Sequence, residues 1–290
     1  IKFSCLLTHL YAVLPRQHDI QDHNIDKKDF YIVAREPGAE NPSLPTWTSH
    51  SENPTGLALA APLIVYRKDI LEVPGAFQLL NVFSKEECQA FIDTTEALGF
   101  LPDAPVSLSR DVRHNDNVTW VVDKTTDELI WQRCAHLMPA PALAGTSLTD
   151  PDNLYEGRQS VGINARFRFY RYKEGDFFKF HTDGAWPGSR VIEQNLVTDA
   201  YPDRYSEMTF LMFLSEDFDG GATRFRVNGN DPYQPVGRHA PMKDIDIRTP
   251  AGSILCFPHG MHPLHRVHSS VPITRGTKYI ARSDVLFKQG

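Results

Sequence analysis

Hydrophobic and polar positions repeat along this chain with two different periods. Ser84 followed three residues later by Glu87 has the spacing of a helix capping box, and it opens an amphipathic stretch with Cys88, Phe91, Ile92 and Leu98 on one side. A second helix fits Asp127 to Leu137, and the run from Val73 to Phe83 is strand-like. From Gly162 onward the period shortens, with β-type runs over 163–172, 177–181, 207–214, 222–227, 253–257 and 278–287 separated by Gly, Pro and Asp. Short strands with turn signals at this spacing predict a sandwich or barrel rather than a parallel α/β sheet. The segment Pro139–Ser160 reads as a loop by composition. Residues 1–70 are polar and punctuated by Glu36-Pro37-Gly38 and Asn41-Pro42-Ser43-Leu44-Pro45, which predicts an extended N-terminal arm ahead of a domain over 71–290.

Composition narrows the function classes. Of the 290 residues, 41% are hydrophobic and 23% charged, an ordinary globular balance. Thirty Lys and Arg against 36 Asp and Glu leave a net charge of −6 without a basic run, so neither nucleic acid nor an anionic membrane surface is expected as a partner. The longest apolar run, Phe3 to Leu14 with His9 inside it, is too short to span a bilayer. Cys5, Cys88, Cys134 and Cys256 form no CxxC pair, which points to a reducing compartment and a cytoplasmic location.

The chemistry concentrates at His181-Thr182-Asp183. Residues two apart on a strand project to one face, so the imidazole and the carboxylate can reach one point at the strand's end. A lone HxD is common by chance; what gives it weight is the order of the elements after it. A Gly220-Gly221 turn, a His-rich stretch over 259–268 and basic residues on the last strand follow in turn. Two histidines and a carboxylate make the facial triad that binds non-haem Fe(II) with open positions. A keto acid and dioxygen can fill those positions, and the acid's distal carboxylate then needs a buried cation. Lys278 or Arg282, four apart on one strand face, can supply it.

Taken together, the ordered set resembles a known family. Tyr172-Lys-Glu-Gly175-Asp-Phe-Phe178-Lys-Phe-His181-Thr-Asp183-Gly184, then Thr209-Phe-Leu-Met-Phe-Leu-Ser, Gly220-Gly221-Ala-Thr223-Arg-Phe225, and His268 followed by Gly276-Thr-Lys278-Tyr-Ile-Ala-Arg282-Ser-Asp284-Val, are similar to the catalytic domain of prolyl 4-hydroxylase-like Fe(II)/2-oxoglutarate dioxygenases. The match runs from about Val73 to Phe287. It implies a mainly β fold with flanking helices: a double-stranded β-helix, or jelly roll, with its core over about 160–288 and the N-terminal helices packed on the major sheet. It further implies His181, Asp183 and His268 as iron ligands, with Lys278, ten residues past His268, gripping the 2-oxoglutarate carboxylate. Fe(II), 2-oxoglutarate and O2 are the implied cofactors and co-substrates, with ascorbate as an accompanying reductant. The implied reaction hydroxylates a C–H bond in a prolyl or other residue of a protein or peptide, with release of succinate and CO2. The family's tyrosines are replaced here by Phe178 and Phe213, so a hydroxyl contact to the co-substrate is either lost or supplied by another residue such as Tyr170, Tyr172 or Thr209, and Arg282 stands as the second cation.

Several readings compete at particular residues. In 164–172 one face carries Asn164, Arg166, Arg168, Tyr170 and Tyr172, which a half-solvated strand would explain equally well. In a jelly roll that face surrounds the iron, so Tyr172 is expected in the cavity, and Arg168, Tyr170 and Asn164 are candidates for substrate contact. His259, His262, His265 and His268 are spaced by three, but Pro258, Gly260 and Pro263 make a helix improbable, leaving one ligand among loop-exposed bystanders. His265 is the rival ligand, and it would put Lys278 thirteen residues away instead of ten. Asp217, Asp219 and Gly220-Gly221 lack the spacing of a calcium loop and read as a turn. Two other functions share this scaffold: hydroxylation of a free amino acid or other small molecule, and a non-catalytic metal-binding or sensing module.

Overall fold

The structure, a computed structural model, describes residues 26–105, 108–139, 158–236 and 240–289. Four strands precede the first helix: β1 (Phe30–Glu36), β2 (Leu44–Ser49), β3 (Tyr66–Asp69) and β4 (Phe77–Leu80). Helix α1 (Lys85–Leu98) leads to β5 (Arg113–His114), β6 (Asp116–Val121) and helix α2 (Lys124–Cys134). Next come β7 (Ser160–Ile163), β8 (Arg166–Tyr172), β9 (Phe177–His181), β10 (Arg190–Ile192), β11 (Asn195–Val197) and β12 (Arg204–Phe213). The last third holds β13 (Phe218–Gly220), β14 (Thr223–Asn228), β15 (Met242–Ile247), β16 (Ser253–Pro258), β17 (Val267–Ser270), β18 (Ile273–Gly276) and β19 (Lys278–Lys288).

Helix α1 starts where its cap dictates. Ser84 Oγ accepts from the Glu87 N–H at 3.1 Å while the Glu87 carboxylate accepts from the Ser84 N–H at 3.0 Å, so two otherwise orphaned donors are satisfied. The same carboxylate takes a buried ion pair from Arg133 of α2 at 2.7 Å, which ties the two helices at one point. Cys88, Phe91 and Leu98 turn inward, as the helical period predicts, and Ile92 is half-buried beside them.

The strands form two main sheets. The major one runs β1-β2-β6-β8-β19-β12-β16-β4-β3, with β7 beside β19; the minor one runs β15-β14-β17-β9-β5. On one face of the major sheet Phe167, Phe169, Phe210 and Ile254 pack with Phe91 and Ile130 from the helices. The opposite face of the major sheet meets the minor sheet through Leu211, Leu255, Phe257 and Ile280 against Phe225, Val227 and Ile245, with Phe225 edge-on to Phe257 at 5.1 Å. This is a double-stranded β-helix with helices on the outer face of its major sheet, as the family resemblance implied.

One expectation changes. β1 and β2 pair with each other and then with β6, and β3 pairs with β4, so the described part of the predicted arm is built into the major sheet. Polar, Pro-rich composition misleads here because β1 and β3 are half-exposed strands at the two ends of the sheet, where Pro and charge are tolerated. Most of the loop expected over Pro139–Ser160, namely 140–157, and the run from Phe3 to Leu14 fall outside the described residues.

Candidate active site

Neighbouring strands of the minor sheet bring the first two groups together. β17 runs antiparallel to β9 in a register that sets His268 directly opposite His181. Asp183 lies just past the end of β9 and returns its carboxylate to the same point. His181 Nε2 stands 3.7 Å from Asp183 Oδ1, and His268 Nε2 stands 3.7 Å from Oδ2. The ligand atoms of all three residues lie within 4.8 Å of one another.

Each ring is fixed by its other nitrogen. His181 Nδ1 meets the Lys179 carbonyl at 2.8 Å and His268 Nδ1 meets the Arg266 carbonyl at 2.9 Å, so Nδ1 carries the proton and Nε2 keeps its lone pair. Burial pushes His181 down to about 3, helped by the neighbouring His268, and burial also lowers His268. Burial alone would raise the Asp183 carboxyl, but Arg282, His268, His181 and His259 outweigh it and hold the group ionised. Two neutral imidazoles with convergent lone pairs and an ionised carboxylate are the donor set that suits a divalent iron, so these residues fit the metal. His265, by contrast, is exposed and turned to the His262 carbonyl at 3.2 Å.

Behind Asp183 runs a directional chain that the sequence did not reveal. Thr209 Oγ1 lies 2.6 Å from Asp183 Oδ2 and 2.9 Å from His259 Nδ1. The carboxylate can only accept, so the hydroxyl donates to it and must itself accept from His259 Nδ1–H. His259 Nε2 meets Ser206 Oγ at 3.0 Å, and Ser206 Oγ accepts from the Trp186 N–H at 2.8 Å. The histidines of the 259–268 run are therefore not all loop-exposed bystanders: His259 and His262 are 1% and 2% exposed. Sequence offered no sign of this, since the partner of His259 lies fifty residues away on β12.

The cavity beside the triad is about 440 Å3 with its open mouth included, and Lys278 reaches it from β19. Lys278 is 1% exposed, and its ammonium donates to the Gly221 carbonyl at 2.7 Å and to Ser270 Oγ at 3.1 Å. An ammonium has three donors, and no carboxylate pairs with this one among the described residues. Burial, with Arg248 adding to it, pushes Lys278 down to about 7. The Gly220-Gly221 turn that offers the carbonyl needs both glycines: φ is +74° and +63°, and a Cβ on Gly220 would sit 2.2 Å from the Pro272 carbonyl oxygen. Arg282, the rival cation, is ion-paired already, with Nε 3.2 Å from Asp183 and a terminal nitrogen 2.7 Å from Asp284.

The polar face of β8 lines two cavities, with Tyr170 and Tyr172 buried and Arg166 and Arg168 half-buried. Tyr170 and Tyr172 line the triad cavity, while Arg168 and Asn164 line a second chamber that shares Arg282 with it. Tyr172 is buried with its ring 5.2 Å from the Lys278 ammonium, and Tyr170 accepts from Arg282. Asn164 spends its amide on backbone, accepting from the Arg166 and Ser189 N–H groups and donating to the Pro187 carbonyl. Phe178 stacks on the His181 ring, centroids 3.5 Å apart, and Phe213 lies 5.5 Å from the Lys278 ammonium. Both phenylalanines thus supply packing where the resembled family carries a hydroxyl.

No protein-family model matches the chain, and no curated protein matches it. Among solved structures it is similar to a viral collagen prolyl hydroxylase from Paramecium Bursaria Chlorella virus-1 in a 2OG complex, with 14% identity over 75% of this chain and 99% of that one, at a TM-score of 0.40. It is similar also to a prolyl-4-hydroxylase from Pseudomonas putida, with 16% identity over 76% of this chain and 100% of that one and a TM-score of 0.43. A prolyl hydroxylase from Trichoplax adhaerens, in complex with a hypoxia inducible factor oxygen degradation domain peptide fragment, shares 15% identity over 74% of this chain and 84% of that one, with a TM-score of 0.45.

Proposed function

We propose that the chain is an Fe(II)- and 2-oxoglutarate-dependent dioxygenase that hydroxylates a C–H bond. The observation that carries this reading is the buried ammonium of Lys278, which has no counter-charge among the described residues and faces the cavity where His181, Asp183 and His268 converge. A buried cation without a partner is costly, and its retention beside a metal-type donor set is accounted for by an anionic ligand that completes it.

The residues divide the task. His181, Asp183 and His268 hold the iron, which when bound supplies activation of dioxygen coupled to oxidative decarboxylation of 2-oxoglutarate, so that succinate and CO2 leave and a hydroxyl is added to the substrate. Lys278 binds the distal carboxylate of 2-oxoglutarate, and Ser270 and the Gly221 carbonyl aim its ammonium. Arg282 and Thr209 orient the Asp183 carboxylate. Phe178, Phe257 and Ile280 line the cavity with apolar surface and keep bulk water from the reacting atoms. The substrate is a prolyl or other residue of a peptide, or a free small molecule, and ascorbate serves as reductant.

The test is succinate formation from labelled 2-oxoglutarate by the purified protein. Formation that requires Fe(II) and is lost in Lys278→Ala is expected. Iron binding without 2-oxoglutarate binding would instead identify a non-catalytic metal module and overturn the reading.

A further inference from the structure

Next to the triad cavity lies the second chamber, bounded by Asn164, Arg166, Arg168, Trp186, Arg282 and Asp284, with Glu36 at its rim. Among the described residues that line it, three guanidiniums meet two carboxylates. Arg166 pairs with Glu36 at 2.6 Å and Arg282 with Asp284 at 2.7 Å. Arg168 is left with no ion pair and no hydrogen bond to a described residue; its guanidinium lies over the Trp186 ring, 5.3 Å from the centroid. Burial, with Arg282 and Arg166 adding to it, outweighs the attraction of Tyr170 and Asp284 and lowers its pKa.

The hydrogen-bond inventory leans the same way. Arg166 Nε and Trp186 Nε1 are buried with no acceptor, so the chamber wall offers donors in excess. Its carboxylates are already engaged, and the Asn164 amide is spent on backbone. A ligand that satisfies such a wall must bring acceptors and negative charge, and a planar carboxylate on a guanidinium does both.

Position links this charge to the chemistry. Arg168 stands opposite Arg282 across the β8–β19 ladder and one same-face step before Tyr170, which lines the triad cavity. Such a step spans about 7 Å. We propose that the chamber is the substrate site and that Arg168, stacked on Trp186, binds a carboxylate of the substrate, placing a C–H a few bonds away beside His181, Asp183 and His268. The ligand class is an organic acid, either a free amino or related acid or the C-terminal carboxylate of a peptide. The inference rests on the dioxygenase reading for the role of the bound acid, though not for its binding.

Calorimetric titration of the protein, without added metal or 2-oxoglutarate, tests it. The probes are free amino acids, small hydroxy and dicarboxylic acids, and short peptides with free C-termini, each paired with its carboxamide. At least one acid is expected to bind wild type and to lose about thirtyfold or more as the carboxamide and in Arg168→Met, with Arg168→Lys recovering part of the loss. Which probes bind separates the free acid from the peptide terminus. Because the acid–amide comparison is made on wild type, a misfolded variant does not remove the test. The proposal is overturned if no acid binds, if acid and amide bind alike, or if a folded Arg168→Met binds the acid as wild type does. Acid binding without succinate formation leaves the chamber standing and sinks the dioxygenase reading; succinate formation without an Arg168-dependent acid does the reverse.

Discussion

The two faces of β8 divide the molecule's work. Phe167 and Phe169 on one face are at most 1% exposed and pack with Trp120 and Phe91, the Phe169 ring 5.8 Å and 6.0 Å from theirs. Arg166, Arg168, Tyr170 and Tyr172 on the other line two cavities, and the charges there are matched one by one or left open. Seven consecutive residues therefore hold the sheet to its helices with one set of side chains and line cavities with the other. The alternation that would mark a half-solvated strand marks instead a strand buried on both sides, with a dry face and a cavity face. The face toward the helices should govern stability, and the face toward the minor sheet should govern binding at little cost to the fold.

His181→Ala gives the largest effect on the binding side. Removing one of the three metal-type ligands is expected to reduce Fe(II)-dependent succinate formation to background, while circular dichroism and the melting temperature change little. Retained turnover would mean that the metal sits elsewhere. The opposite face predicts the converse: Phe169→Ala opens a cavity among Phe91, Trp120 and Phe167 and should cost about 3–5 kcal/mol in denaturant unfolding. The 2-oxoglutarate affinity of the folded fraction should stay as in wild type. A variant that lost affinity with no loss of stability would erase the contrast between the faces.

Lys278→Met sharpens the comparison because its two effects have opposite signs. Truncating the charge that opposes a buried carboxylate should weaken 2-oxoglutarate by about 2–5 kcal/mol. The ligand-free protein should become more stable, since an unpaired ammonium no longer has to be buried. Lys278 is pushed down to about 7 from an ordinary 10.5, so between those values the unfolded chain holds the proton that the folded chain has released. Wild-type stability therefore gains from Lys278 as pH rises through that window, and the full cost of burial is felt below it. The melting-temperature gain of Lys278→Met should accordingly be larger at about pH 6 than at about pH 9, and a gain that does not change with pH would mean that Lys278 already has a partner.

How much of this could be read from the sequence depends on whether the signal was local. The Ser84–Glu87 box placed the start of α1, and the apolar period placed its buried side, because both are set within two turns of chain. β9 was bounded at 177–181 by its own alternation and flanking turns. β15, in Met-Lys-Asp-Ile-Asp-Ile, was missed because it is an edge strand whose charges face water, and β17 because Val-His-Ser-Ser is short and polar although it carries His268. Within the site, the His181–His268 pairing was legible through the order of motifs. Arg282 was read as a candidate carboxylate binder because the sequence cannot show that Asp183 and Asp284 already occupy it. Thr209 lines the cavity with its hydroxyl on Asp183, a contact that no local signal in the sequence shows.

That hydroxyl carries the smallest of the expected effects and the most specific one. Thr209 lies on β12, where its register partner is Asp284 of β19, and its hydroxyl is the link between Asp183 and the buried His259. Thr209→Val keeps the branched shape and the strand preference, so packing is nearly conserved and the melting temperature should move little. Both neighbours nevertheless lose a partner: Asp183 Oδ2 loses a donor and His259 Nδ1–H loses its acceptor, leaving a buried N–H unsatisfied. Loss of a group that orients a metal ligand typically costs 10–100-fold in metal affinity, so Fe(II) binding should weaken by about that factor while 2-oxoglutarate still binds through Lys278. Thr209→Ser restores the hydroxyl and should recover most of the affinity, which a purely steric role for Thr209 would not allow. His259→Gln provides the cross-check, since it breaks the same chain one link further from Asp183 and should weaken Fe(II) less than Thr209→Val. An equal or larger loss would mean that His259 supports Asp183 by a route other than the Thr209 hydroxyl.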